Sequence, residues 1–190
     1  MHNIAIFASG AGTNARQIIE HFRYQPLVKI RLIICNKEGA GVLQVAQSEN
    51  IESVLLDKEK FFRGNGYVDE LEKRGIDFIV LAGFLWKLPA SLIRAYPGRI
   101  INIHPALLPK YGGKGMYGKF VHEDALQGGE TESGITIHYV DELYDHGSII
   151  FQATCAIDAN ETAESLAAKV HQLEHFHYPR VIQSLLEQDL

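Results

Sequence analysis

Two polar side chains near the middle of the chain, Asn102 and His104, have the types and the spacing to do chemistry. They stand two positions apart in residues 99–104, an apolar run that predicts a buried strand, so both side chains point to one face of a sheet. Pro105 follows at once and ends the hydrogen-bonded ladder. The pattern therefore places an amide beside an imidazole where a strand opens into a loop, the usual position of an α/β active site.

Such a pair suits acyl transfer to an amine, because attack on the acyl carbon creates an oxyanion that the Asn102 amide and an N–H of His104 stabilise. A nearby carboxylate favours the imidazolium and passes protons through an ordered water. Asp145 is the candidate, although residue types alone do not distinguish it from Asp141 or Glu142, and all three also suit a turn. We expect direct transfer, because no Ser or Cys is suitably placed as a nucleophile.

A second candidate site lies near the N-terminus, where the glycine-containing residues 9–14 connect a buried strand (residues 3–8) to an amphipathic helix. This order points several backbone N–H groups and the positive end of the helix at one place, which predicts a phosphate site. The alternative is a tight turn that binds nothing.

The same loop also fits the dinucleotide fingerprint through Gly10, Gly12 and Ala15. That fingerprint needs an acidic residue at the end of the second strand, and here the strand over residues 28–35 ends in Asn36. The sequence therefore favours a phosphate monoester over NAD.

Strands and helices alternate through the first half of the chain, which predicts an α/β fold with a doubly wound, mostly parallel, Rossmann-like sheet. After the first strand and helix, the expected elements are a strand at 28–35, a helix at 41–49, a strand at 51–56, a helix at 66–74, a strand at 77–81, a helix from Pro89 and the strand at 99–104. In such a sheet residues 9–14, 82–88 and 102–105 share one edge and one crevice.

The pattern changes after Pro109. Residues 110–118 carry four glycines and predict a mobile active-site loop, followed by a short helix at 120–126. Residues 134–140 and 148–156 predict an antiparallel strand pair, and residues 162–187 a long C-terminal helix interrupted or kinked at Pro179.

Length and composition narrow the class of protein. With 190 residues we expect one domain, or one domain with an extension. The net charge of −5 disfavours nucleic acid as a partner, and no segment has the length of a membrane span. Cys35 and Cys155 form no cluster, and no apolar leader precedes the first strand, so we expect a cytoplasmic protein.

Several motifs in order along the chain resemble those of the phosphoribosylglycinamide formyltransferases, which use 10-formyltetrahydrofolate. They are residues 9–14, residues 82–88 (Ala-Gly-Phe-Leu-Trp-Lys-Leu), residues 102–111 (Asn-Ile-His-Pro-Ala-Leu-Leu-Pro-Lys-Tyr), residues 134–138 (Gly-Ile-Thr-Ile-His) with Asp145 and Gly147, and Glu174-His175 with Tyr178-Pro179. The resemblance covers nearly the whole chain. It implies a formyltransferase-type fold, a small-molecule transferase of purine synthesis, no metal, and a monomer or homodimer. It also implies a single catalytic domain over residues 1–190, with a nucleotide- and phosphate-binding half at 1–104 and a folate-site and C-terminal half at 105–190.

The resemblance also implies the roles of individual residues. Asn102, His104 and Asp145 match the catalytic trio, in which Asp145 raises the pKa of His104. The positions matching the substrate-binding residues for phosphoribosylglycinamide are Gly12, Thr13, Asn14 and Glu174. The positions matching the folate-binding residues are Arg63, Leu85, Trp86, Lys87, Leu88, Asn102, Val140 and Asp141. Trp86 and Lys87 depart from the side chains usual in this family, and residues 112–118 form a longer, more glycine-rich loop.

Other interpretations compete with this one. His171, Glu174 and His175 fit an H-x-x-E-H zinc pattern, but no third ligand is evident and the resemblance gives Glu174 another task. Formyltetrahydrofolate deformylase and methionyl-tRNA formyltransferase share the trio, yet carry a further domain, and the latter a basic surface. A nucleotide-binding module without catalysis remains a different class of alternative.

Overall fold

The computed structural model describes residues 1–188, so the end of the expected domain at 190 lies outside the described residues. The strands are β1 (His2–Ala8), β2 (Val28–Cys35), β3 (Glu52–Leu55), β4 (Phe78–Leu81), β5 (Ile100–His104), β6 (Glu132–Tyr139) and β7 (Ile149–Ala156). The helices are α1 (Thr13–Phe22), α2 (Gly41–Ser48), α3 (Lys58–Arg63), α4 (Val68–Lys73), α5 (Ala90–Ala95), α6 (Lys119–Gln127) and α7 (Ala163–Gln188). None of these helices is long and apolar enough to cross a bilayer.

The strands form one sheet in the order β3-β2-β1-β4-β5-β6-β7. β1 pairs in parallel with β2 and β4, β2 pairs in parallel with β3, and β4 with β5, whereas β6 and β7 pair in antiparallel fashion. The predicted α/β class is confirmed, with a mostly parallel sheet, an antiparallel C-terminal strand pair and a long C-terminal helix. The chain divides into two compact units, Met1–Asn102 and a second unit that begins at Ile103.

The first unit follows from its apolar pattern. β1 and β4 are buried along almost their whole length, as expected for parallel strands covered on both faces. α1 buries Ile18, Ile19 and Phe22 on its apolar stripe. The strand order reverses between β1 and β4, and the loops that follow these two strands leave the same edge of the sheet.

Two features differ from the sequence-based expectation. α3 was not predicted, although Asp57 caps it by accepting a hydrogen bond of 2.7 Å from the Lys60 N–H. α7 runs through Pro179, so of the expected interruption or kink the interruption is absent. Tyr178 and Ile182 are fully buried on either side of the proline, and this packing outweighs one lost backbone hydrogen bond.

Candidate active site

The loop after β1 presents backbone N–H groups at the start of α1. Gly12 is the N-cap residue of α1 in a left-handed conformation (φ 79°), and no side chain caps the helix or adds negative charge to its first turn. The amides at this end of a ten-residue helix therefore suit an anion. Gly12, Thr13 and Asn14 thus lie together at the start of α1, and their binding of a phosphate stays a prediction.

Close packing against α2 explains the glycine at position 12. A Cβ on Gly12 would lie 2.8 Å from Cα of Val42, and a Cβ on Gly41 would lie 2.9 Å from the carbonyl oxygen of Ala11. The Val42 N–H also donates to the Gly10 carbonyl at 3.1 Å. The first residues of α2 therefore pack against the loop and fix its backbone.

Ser9 connects this loop to the segment after β4, which contains the expected folate-binding residues. Its N–H donates to the Gly83 carbonyl at 3.1 Å, and its hydroxyl accepts from the Leu85 N–H at 2.9 Å. Leu88 is buried, whereas Leu85 and Lys87 are exposed. The switch point of the sheet thus brings two of the predicted ligand-binding segments into direct contact.

Trp86 has its side chain in an aromatic cluster. Its ring lies 5.7 Å from Phe61, 5.3 Å from Phe62 and 6.5 Å from Phe84, measured between centroids. Arg63 is the next residue after Phe62 on α3, and its largely exposed guanidinium pairs with Glu59 at 3.0 Å. The unpredicted helix α3 thereby connects Arg63 to the 85–88 segment.

β5 carries Asn102 and His104 at its carboxyl end, as the spacing predicts. Asn102 is paired with Leu81 of β4, so it lies at the edge from which the segment after β4 departs. His104 is only 4% exposed, and Ile103 between the two polar residues is also buried. The strand therefore holds a half-buried Asn102 and a buried His104 two positions apart.

The hydrogen bonds of His104 define the state of its ring. Nε2 lies 2.7 Å from the Tyr111 carbonyl, which can only accept, so Nε2 carries a proton. Nδ1 lies 3.5 Å from Oδ2 of Asp145. Neutral His104 therefore turns an unprotonated Nδ1 toward the carboxylate, and Nδ1 is the nitrogen that gains a proton when the imidazolium forms.

The structure separates Asp145 from the other acidic residues of its turn. Asp141 accepts from the Leu143 N–H and faces His146, both at 2.8 Å, on the exposed side of the turn. The side chain of Asp145 is only 11% exposed, and its Oδ2 accepts from the Gly113 N–H at 2.9 Å. The 3.5 Å between Nδ1 of His104 and Oδ2 of Asp145 makes this pair a direct one, and the ordered water expected to carry protons to the reacting nitrogens stays a prediction.

His138 was missed as a member of this site. Its Nε2 lies 3.6 Å from Oδ1 of Asp145, and its Nδ1 lies 2.8 Å from the Tyr139 carbonyl, so Asp145 stands between two imidazoles. The alternating pattern of β6 was the available signal, because Thr136 on the same face bonds the chain just after β5, at the Ala106 carbonyl (2.7 Å).

Burial and charge act in opposite directions on this cluster. Burial lowers the pKa of His104, and the upward effects of Asp145 and the Tyr111 carbonyl do not overcome it. Asp145 thus favours the imidazolium as expected, yet the pKa of His104 lies below its usual value. Burial alone raises the pKa of Asp145, but His138, His104 and the Gly113 N–H bring it below the ordinary value. The resting pair is therefore a carboxylate facing a neutral imidazole.

The remaining predicted residues lie in the second unit. Val140 and Asp141 begin the turn that contains Asp145, and the turn closes where Gly147 packs on the Tyr139 carbonyl. Glu174 is buried on α7 one turn before Tyr178, whose pKa is raised by burial and by Glu174. The rings of His171 and His175 stack on the same helix, and within residues 1–188 no cluster of three or more His, Cys, Asp or Glu side chains is arranged to hold a metal ion.

Comparison with known proteins gives a consistent result. The family model described as formyl transferase matches residues 2–182. The chain is 41% identical to the chloroplastic phosphoribosylglycinamide formyltransferase of Arabidopsis thaliana over 97% of its own length and 65% of that protein, so it spans just under two thirds of this plant relative. It is 35% identical to the phosphoribosylglycinamide formyltransferase of Bacillus subtilis, with 98% of this chain and 95% of the relative covered. The crystal structure of the enzyme of that name from Bacillus halodurans superposes with a TM-score of 0.89 at 37% identity, covering 99% of this chain and 97% of that one.

Proposed function

The chain belongs to the formyl transferase family, and we propose that it transfers the formyl group of 10-formyltetrahydrofolate to the amine of 5'-phosphoribosylglycinamide, in purine synthesis. The observation that carries the proposal is the buried pair in which Nδ1 of His104 faces the Asp145 carboxylate at 3.5 Å. This pair stabilises a proton at one defined atom, which formyl transfer requires.

The proposed reaction begins when the substrate amine attacks the formyl carbon, forming a carbon–nitrogen bond and a tetrahedral oxyanion. The Asn102 amide donates to this oxygen, and the positive charge of the His104 imidazolium, which Asp145 stabilises, offsets its negative charge. The intermediate collapses when its bond to the folate nitrogen breaks. That nitrogen gains a proton as the attacking amine loses one, so formylglycinamide ribonucleotide and tetrahydrofolate leave.

Direct transfer fits the surroundings of His104. Its ring nitrogens face a carbonyl and a carboxylate, and among the described residues neither faces a hydroxyl or thiol that it could activate. The imidazole therefore acts on the oxyanion and on protons rather than on a protein nucleophile.

Each substrate has a proposed binding region. The phosphate of phosphoribosylglycinamide binds the amides of Gly12, Thr13 and Asn14, and Glu174 binds its ribose or amine region. The folate, a co-substrate rather than a resident cofactor, binds along a larger set: Arg63, Leu85, Trp86, Lys87, Leu88, Asn102, Val140 and Asp141. Because the Trp86 ring lies in the aromatic cluster, we propose that backbone groups of residues 85–88 contact the folate.

The test is formyl transfer measured with both substrates, in wild type and in His104→Ala. We expect transfer by the wild type and a loss on the order of a hundredfold or more in kcat for the variant, with the circular dichroism spectrum unchanged. No transfer by the wild type would reject the proposal. Release of formate without an amine acceptor, at the same rate as with one, would show a hydrolase instead.

A further inference from the structure

The turn after Pro109 bonds to both members of the buried pair. The Tyr111 carbonyl accepts the Nε2–H of His104 at 2.7 Å, and the Gly113 N–H donates to Oδ2 of Asp145 at 2.9 Å. One three-residue stretch of backbone thus determines where the His104 proton lies and holds the carboxylate that faces Nδ1.

This turn adopts its geometry only under constraint. Tyr111 has a left-handed backbone (φ 55°), which is unfavourable for a bulky side chain. A Cβ on Gly112 would lie 2.4 Å from Cδ2 of Leu108 and 3.3 Å from Cβ of Asp145. The backbone therefore fills the space between Leu108 and Asp145, and something must hold the unfavourable conformation in place.

Glu130 supplies that hold from the end of the α6 segment. Its Oε1 accepts from the Tyr111 hydroxyl at 3.0 Å, and its two carboxylate oxygens accept from Nζ of Lys110 at 2.9 and 3.1 Å. Gly128 lies against the Tyr111 ring so closely that a Cβ there would stand 2.3 Å from the phenol oxygen. The phenol is thus held by a carboxylate and by close packing, although it touches neither His104 nor Asp145.

We propose that Tyr111 and Glu130 are positioning residues for the reaction, which hold residues 111–113 so that His104 keeps its proton on Nε2 and Asp145 stays opposite Nδ1. The proposal rests on the proposed function for the roles of His104 and Asp145. Beyond that function, the contact between the Tyr111 side chain and Glu130 acts through the backbone of residues 111–113. It determines which His104 nitrogen carries the proton and where the Asp145 carboxylate lies.

Loss of the contact has a specific consequence for protons. When the turn relaxes, the Tyr111 carbonyl leaves Nε2, and its upward contribution to the pKa of His104 is lost. The titratable groups that face this ring are Asp145 and His138, with His122 of α6 also within electrostatic reach. None of these changes in the variants described below, so a shift in the pKa of His104 reports the turn.

The first test compares Tyr111→Phe and Glu130→Ala with wild type. One lost hydrogen bond predicts a fall in kcat of about three- to tenfold for each, with KM for either substrate within about twofold. If activity requires the imidazolium, the alkaline limb of the kcat/KM profile moves to lower pH, because the pKa of His104 falls. Glu130→Gln keeps an acceptor for the phenol and should restore most of the activity.

Controls separate this role from general stability. Glu123→Gln removes an exposed ion pair with Lys119 on α6 and should leave kcat and the pH profile unchanged. Tyr24→Phe removes a phenol from a side chain that is 88% exposed and should likewise change nothing.

A double-variant cycle tests the contact itself. Gly128→Ala forces the Tyr111 hydroxyl away and should reproduce the kinetic defect of Tyr111→Phe. In the Tyr111→Phe background the same Cβ lies 3.5 Å from the ring carbon Cζ, so it should add little further loss. Additive losses from the two substitutions would contradict the proposed contact.

Nuclear magnetic resonance distinguishes failure of this inference from failure of the proposed function. The pH titration of the His104 ring, measured without substrates, should show a lower pKa and loss of the single Nε2–H tautomer in Tyr111→Phe. An unchanged titration in a folded variant would overturn the positioning role, whatever the wild-type enzyme catalyses. A changed titration would support it even if the wild type transferred no formyl group to phosphoribosylglycinamide.

Discussion

The loop after β1 and the pair formed by His104 and Asp145 differ in the chemical groups that they present. The first site consists of backbone N–H groups, held by glycine at position 12 and by close packing on α2. The second consists of side chains, in which Asp145 lies 3.5 Å from His104 and 3.6 Å from His138. Fixed amides suit a charged group that only has to be held, whereas titratable side chains suit a step in which charge develops.

This difference determines how each site responds to substitution. A side-chain change at the second site removes a group with a proposed role in the reaction and should alter kcat and its pH dependence. At the first site the amides remain after any side-chain change, so only a change that moves the backbone should matter, and it should act on KM for the phosphate-bearing substrate. Kinetics that did not divide in this way would contradict the comparison.

The largest expected effect is that of Asp145→Asn. Asparagine tolerates the left-handed backbone of this position (φ 51°), so the turn should persist while the charge is lost. We expect kcat to fall about 100-fold with KM nearly unchanged, because in the proposed reaction the carboxylate acts on developing charge. The pKa of His104 falls further without its carboxylate, and the imidazolium is lost as pH rises through that pKa.

The alkaline limb of the kcat/KM profile should therefore move to lower pH in Asp145→Asn. Steady-state kinetics over about pH 5.5–9 measure both the fall in kcat and the shift of the alkaline limb. A variant that raised KM for a substrate while keeping kcat would show that Asp145 only binds that substrate.

Gly12→Ala tests the backbone site, with a smaller expected effect. The new Cβ would meet Val42 at 2.8 Å and strain a left-handed residue, so the loop must shift. We expect KM for the phosphate-bearing substrate to rise about tenfold, on the scale of one charge-assisted hydrogen bond, with kcat retained.

Gly98→Ala is the matched control, because Gly98 has a similar φ of 68° but no atom within 4 Å of the added Cβ. It carries the same conformational cost, about 1 kcal/mol, without the collision. If both variants raised KM equally, the collision at the loop would not be the cause.

The sequence allowed most of the fold and the backbone site to be predicted, because both depend on local patterns. The apolar runs of β1 and β4, and the glycine before α1, carry their own signals in consecutive residues. The side-chain site was only partly predictable from the residues. Asn102 and His104 are neighbours on one strand, but Asp145 became distinguishable from Asp141 only through contacts with distant residues such as Gly113.

What could not be predicted depends on tertiary contacts. His138 joins the cluster because β6 brings its face toward the segment after β5. Alternation along β6 indicates which residues share a face, but not which segment that face contacts. Tyr111 contacts His104 through its backbone carbonyl, a group that every residue has, so the residue type does not predict this contact. The lowered pKa of His104 likewise reflects how deeply the ring is buried, which spacing does not reveal.

His138→Asn tests the side-chain site because it should shift the pKa of His104 in the direction opposite to Asp145→Asn. His138 lowers the pKa of His104, so its removal should raise that pKa and move the alkaline limb to higher pH, opposite to Asp145→Asn. We expect kcat to fall only about three- to tenfold, since one polar contact to the carboxylate, at 3.6 Å, is lost. Shifts of the same sign in both variants would show that the two imidazoles do not compete for Asp145.

The smallest expected effect concerns the pH dependence of stability. It should be larger in the second unit, which contains His104, His122 and His175, than in the first unit. Burial lowers the pKa of His104, His122 and His175, whereas the unfolded chain titrates near the ordinary value of 6.5. The unfolded state then binds more protons, so these histidines contribute stability above about pH 6.5 that is lost as pH falls through their folded values. The melting temperature should therefore fall as the pH is lowered from about 7.5 to about 5.5, a range that brackets the ordinary pKa of histidine. Over the same range, hydrogen exchange should accelerate in α6 and α7 before it accelerates in β1. His122→Asn should reduce the slope, because the Nδ1 of His122 is buried and bonds to no other described group. An unchanged slope would place the acid-sensitive group elsewhere than on α6.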